Sequence, residues 1–110
     1  MLKTMTDNKG EVKMNMPIAY RVLNQEIVCS GLESLIANQM RVASVTCPSF
    51  NGTSKPFKLL EFRIELENPE EEIDAQFLTH VCGTDVYNIG PTSNVFEGTL
   101  KGETFIITIE

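Results

Sequence analysis

Residues 60–67 alternate without a fault: Leu60, Phe62, Ile64 and Leu66 on one side, Glu61, Arg63, Glu65 and Glu67 on the other. Successive side chains of an extended chain point to opposite faces, so this pattern specifies a strand with one dry and one wet face. Such a sheet needs cover on one side only. The next residues look like that cover. Asn68 is a favoured N-cap, Pro69 suits the first helical position, and Glu70, Glu71 and Glu72 complement the positive end of a helix dipole. Ile73, Phe77 and Val81 recur every fourth residue, with Leu78 and Cys82 beside them, and Gly83 is placed for a left-handed C-cap. The spacing predicts a helix over 68–83. A strand is the rival, because Ile73, Ala75, Phe77, Thr79 and Val81 also alternate; the caps at both ends favour helix.

Toward the N-terminus, residues 1–11 are polar and unpatterned and read as a tail. Val12, Met14, Met16, Ile18, Tyr20 and Val22 then share one face of an alternating run, which predicts a strand over 12–22 with Pro17 at an edge or bulge. Asn24-Gln25 reads as a turn and 26–29 as a returning strand. Ser30-Gly31-Leu32-Glu33 fits a capping box, and Leu32, Leu35, Ile36 and Met40 supply the apolar stripe of a short helix behind it. Residues 41–47 read as a strand, 48–56 as a loop, and a change of phase near Leu59 and Leu60 predicts a β-bulge. After a short strand at 86–89 and a loop at 90–94, residues 95–100 and 103–109 form a hairpin around Lys101-Gly102, with Phe105, Ile107 and Ile109 inward. The predicted order is β-β-α-β-β-α-β-β-β. The expectation is a single α+β domain over 12–110, a mainly antiparallel twisted sheet with one or two helices packed on one face; the alternative is an all-β sandwich or barrel.

Charge narrows the partners. Fifteen acidic and nine basic residues give a net charge of −6. The basic residues are scattered singly, so the stripe that neutralises nucleic-acid phosphates is missing, and an anionic membrane surface is disfavoured for the same reason. No run approaches the ~20 apolar residues of a membrane span. Cys29, Cys47 and Cys82 are an odd set without a CxxC, and the polar first ten residues lack the apolar core of a signal peptide. The expectation is a cytoplasmic protein with reduced, buried thiols.

No residue set carries a catalytic or cofactor signature. His80 is the single histidine. A zinc site or a Cys–His nucleophile would need it to converge with cysteines that lack the spacing of either. Metal, cofactor and catalytic residues are all expected to be none. Two candidate surfaces remain. The loop-rich segment 83–94 offers a ligand rim of His80, Asp85, Tyr87 and Asn88. The acidic residues Glu61, Glu65, Glu67, Glu70 and Glu71 offer a partner-binding face. Three functional readings follow. The first is a small, non-catalytic protein-interaction module that binds another protein or pairs with a second copy into a homodimer through a sheet edge such as 12–22. The second is an acidic inhibitor or immunity-type protein that occupies a basic site on a target. The third is a small-molecule-binding protein or enzyme with a pocket near 83–94.

Overall fold

The computed structural model describes residues 18–47 and 59–110. The predicted tail at 1–11, the first six residues of the predicted strand 12–22 and the loop at 48–56 lie outside them. The elements run α1 (Ile18–Gln39), β1 (Val42–Thr46), β2 (Leu60–Leu66), α2 (Ala75–Cys82), β3 (Val86–Asn88), β4 (Val95–Leu100) and β5 (Glu103–Ile109). The strands form one sheet in the order β1-β2-β5-β4-β3. β2 and β5 are parallel and every other neighbour is antiparallel. The fold is α+β, as expected.

The alternation in β2 does what the sequence demands. Leu60, Phe62, Ile64 and Leu66 are buried and the residues between them are exposed. β5 lies beside it at the centre of the sheet, with Phe105, Ile107 and Ile109 facing the same way. Phe62 and Phe105 meet edge-on at 6.3 Å, a favoured aromatic geometry. Both helices pack against this dry face. Val28, Leu32 and Ile36 of α1 and Leu78, Val81 and Cys82 of α2 join the strands in one apolar core. The β4–β5 hairpin turns on Lys101 (φ 52°) and Gly102 (φ 80°), the paired positive angles that match the twist of two-residue hairpin loops. Gly98 sits in β4 because Phe105 leaves no room above it: a Cβ there would lie 2.6 Å from the Phe105 ring.

Four expectations fail in the N-terminal half. Ile18–Val22 is helix, not strand; Asn24-Gln25 is helix, not a turn; 26–29 is helix, not a returning strand; and Ser30 does not cap anything. Its hydroxyl donates to the Glu26 carbonyl at 3.0 Å, a bond made inside a continuous helix. The reason is visible in the burial. Gln25, Val28, Cys29, Leu32 and Ile36 form the inner row of α1 at helical spacing. Its N-terminal member is polar, while the outward Tyr20, Leu23 and Ile27 are apolar. The stripe is therefore masked over 18–28, and every-second-residue alternation shows through instead.

The start of α2 also differs. Asn68 does not cap it. Its side-chain oxygen accepts from the Glu70 amide at 3.0 Å and its carbonyl from the Glu71 amide at 3.0 Å, closing a turn. The cap is Asp74, with extended backbone and an oxygen 2.8 Å from the Phe77 amide. Gly83 ends the helix at φ 72°, as expected, with its amide donating to the Thr79 carbonyl. Phe77, placed by spacing in the buried row, is on the exposed side; Leu78, Val81 and Cys82 are buried. In the sheet, one irregularity of register falls in β1 between Val42 and Ser44, which lets both Val42 and Val45 reach the core.

Candidate functional site

The outer side of α1 is where apolar side chains meet solvent. Tyr20, Leu23 and Ile27 are each about half exposed, at 54%, 53% and 49%. Their spacing of three and four places them in one row along the helix, and Gly31 extends it. Space for a Cβ at Gly31 is open, with nothing within 4 Å. Of the polar residues on this side, Asn24, Glu26, Ser30 and Ser34, one is charged. A helix apolar on two sides normally has both covered; here the core covers one. The sequence holds the signal, apolar residues at 20, 23 and 27 beside an inner row at 28, 29, 32 and 36, but only once the segment is known to be a single helix.

Behind that surface a polar cluster fixes the N-terminal half of α1. Glu103, at the start of β5, is 3% exposed. Its carboxylate accepts from Arg21 Nε at 2.7 Å, Arg21 Nη2 at 3.3 Å, Asn24 Nδ2 at 3.0 Å and the buried Gln25 Nε2 at 3.1 Å. Asn24 also donates to the Lys101 carbonyl at 3.0 Å. A carboxylate taken out of water needs such a set of donors. The cluster clamps α1 to the β4–β5 hairpin and holds the Tyr20–Leu23–Ile27 row outward. Sequence reasoning missed it, because its members lie about eighty positions apart and none forms a local motif.

The predicted ligand rim lies at exposed positions on α2, β3 and the turn between them. His80 is exposed in the last turn of α2 and Asp85 is exposed after it. Tyr87 is exposed opposite Glu97, on the side of the sheet away from the helices. Asn88 spends its amide on the Val95 carbonyl at 2.8 Å. The residue that ties α2 to β3 is Thr79, whose hydroxyl accepts from the Val86 amide at 2.9 Å and contacts its carbonyl at 3.1 Å. A cleft of 580 Å³ lies elsewhere, where β2 and β5 end and β4 begins. Leu66, Ile73 and Ile109 give it an apolar floor, and Glu71, Asp74 and Glu110 are among its acidic residues.

The predicted acidic face divides in two. Glu61 and Glu65 stand on the open side of β2 with Arg63 between them, and Glu65 accepts from the Ser44 hydroxyl at 3.4 Å. Arg63 reaches Glu110 at 3.6 Å, an exposed pair of little energetic weight. Glu67, Glu70 and Glu71 belong to the connection into α2, and of these Glu71 lines the cleft.

The sheet edges are poor templates for pairing. β1 has five residues and a register shift, and β3 has three. Short and bulged edge strands resist the addition of another chain. The edge expected at 12–22 is helical from Ile18 onward. Among the described residues, no cluster of His, Cys, Asp and Glu is arranged to hold a metal ion, and no helix is long and apolar enough to cross a membrane. No known protein family, no curated protein and no solved structure matches the chain.

Proposed function

We propose that this protein is a small, non-catalytic interaction module that pairs with a second copy of itself through the outer side of α1. The half-exposed row of Tyr20, Leu23 and Ile27 carries this reading. A chain of net charge −6 repels its own copies over most of its surface, and this row is a side where charge is nearly absent. The row is also self-complementary. In a two-fold antiparallel crossing, Leu23 faces Ile27 of the second copy and Tyr20 faces the open space at Gly31, large against small.

Burying half of an aliphatic side chain contributes about 1 kcal/mol, and association costs roughly 4–15 kcal/mol in lost freedom. Three such side chains per copy therefore support a weak dimer that dissolves on dilution. Cytoplasmic location fits this reading, since all three thiols are buried and unpaired in disulfides. The acidic-inhibitor reading has a divided set of carboxylates to work with, and the cleft lined by Leu66, Ile73 and Ile109 does not include His80, Asp85 or Tyr87; both readings receive less support. A dilution series of amide spectra tests the proposal. Shifts that grow with concentration and centre on residues 20–31 support it. Shifts centred on β1, β3 or the acidic cleft, or none at all, reject it.

A further inference from the structure

The cleft at the end of the sheet shares no lining residue with the outer side of α1. The parallel strands β2 and β5 both finish at it, and the 67–74 connection leaves from there toward α2. Crevices outside the carboxyl ends of parallel strands are where open sheets commonly hold ligands. The floor is the end of the core itself: Leu66 and Ile109 are buried and Ile73 is half-buried. The walls carry Glu71, Glu72 and Asp74 from the connection and Glu110 from the position after β5, and among the described residues no lysine, arginine or histidine lines the space. Asp74 spends one oxygen on the Phe77 amide, and Glu110 stands 3.6 Å from Arg63. Glu71 and Glu72 are exposed and form no ion pair among the described residues.

We propose that this cleft binds a linear alkyl diamine or polyamine, with its methylenes on the Leu66–Ile73–Ile109 floor and its ammonium groups at the carboxylates. Carboxylates on an open surface only attract counter-ions, and salt screens them. Here they border an apolar floor, so the ligand that gains most is both cationic and aliphatic. A hydrated metal cation has nothing to lay on the floor, and a fatty or aromatic acid meets carboxylates of its own sign. One ammonium group can serve one wall. Two, joined by methylenes, can serve the connection and the end of β5 together. The cleft, at 580 Å³, falls within the roughly 300–1,000 Å³ of small-molecule sites. Alkylammonium groups resemble the lysine head, with a pKa of about 10.4, and stay charged at neutral pH. Binding here does not depend on any pairing of copies.

The test titrates the full chain with 1,3-diaminopropane, 1,6-diaminohexane and magnesium chloride at matched ionic strength, read by amide spectra. Saturable shifts are expected at residues 66–74, 93–94 and 109–110. The longer diamine should bind about eightfold more tightly than the shorter, since it adds three methylenes and each, half-buried, contributes roughly twofold. Glu71→Gln with Glu72→Gln should weaken binding about fivefold or more, as expected for two exposed ion pairs lost together. Both positions lie outside the helices and strands, so helix content should stay at the wild-type value. Glu61→Gln with Glu65→Gln makes the same change of charge on the open side of β2 and should leave binding within about twofold, the limit set by screening at a distance. Equal affinity for the two diamines, magnesium shifting the same amides as strongly, or equal weakening by the two pairs of substitutions would each reduce the effect to counter-ion attraction and overturn the proposal. So would the absence of saturable shifts at the cleft.

Discussion

Replacing Glu103 by alanine removes the acceptor on which four donor contacts converge, from Arg21, Asn24 and Gln25. Gln25, 1% exposed, loses this acceptor in a dry site, and the Arg21 guanidinium is left without the carboxylate 2.7 Å away. Removing one member of a buried ion pair typically costs about 3–5 kcal/mol. The Arg21 side chain keeps 17% exposure, so solvent recovers part of its loss. The expected destabilisation is therefore about 2–4 kcal/mol, well within the ~5–15 kcal/mol of a typical domain. The chain has no Trp, so urea unfolding is best followed by far-ultraviolet circular dichroism. The midpoint should fall with little change in slope. A cycle with Arg21→Ala should return a coupling energy above about 1 kcal/mol, because the two residues share one network. A loss below about 1 kcal/mol for Glu103→Ala, or additive single effects, would refute the view that this cluster clamps α1 to the hairpin.

Gly98→Ala would push a methyl to within 2.6 Å of the fully buried Phe105 ring and 3.0 Å of the Asp85 carbonyl, and should cost about 1–3 kcal/mol in the same assay. Gly31→Ala should do the reverse, stabilising the chain by about 1 kcal/mol, because the position is helical, outward and open. Asp74→Ala should lose about 1 kcal/mol, and Asn68→Ala less, since Asp74 is the residue that caps α2. In alkaline solution the folded chain holds its thiol protons longer than the unfolded one: burial raises Cys82 from 9.0 to about 11, and Cys29 rises from 9.0 to about 12. Stability from these groups is thus full below pH 9 and drains away as pH rises to about 11–12. Cys82→Ala should flatten that fall in urea midpoints measured across the range.

The C-terminal half was readable because its signals are local. The alternation of β2, the Lys101-Gly102 hairpin and the Gly83 cap each rest on neighbours in sequence, and all three hold. Asn68 misled because a good cap residue followed by proline makes an equally good turn; what decides is where Ile73 and Leu78 can both reach the core. The N-terminal half misled for a different reason. Gln25 is buried because Glu103 waits for it, and Tyr20, Leu23 and Ile27 are exposed although apolar. Polarity there reports on distant partners and on an open surface, not on inside and outside. The candidate interaction row was consequently invisible until the helix was established. The acidic residues, easily counted, turned out to be spread over the open side of β2 and the connection into α2.

Molar mass by in-line light scattering, taken across a wide range of loading concentrations, tests the central claim most directly. The account expects the wild-type chain to climb from the mass of one copy toward that of two. It also expects Leu23→Glu with Ile27→Glu to hold the single-copy value while keeping the wild-type helix content. A wild-type mass fixed at one copy throughout, or a doubled mass that survives both substitutions, would contradict it.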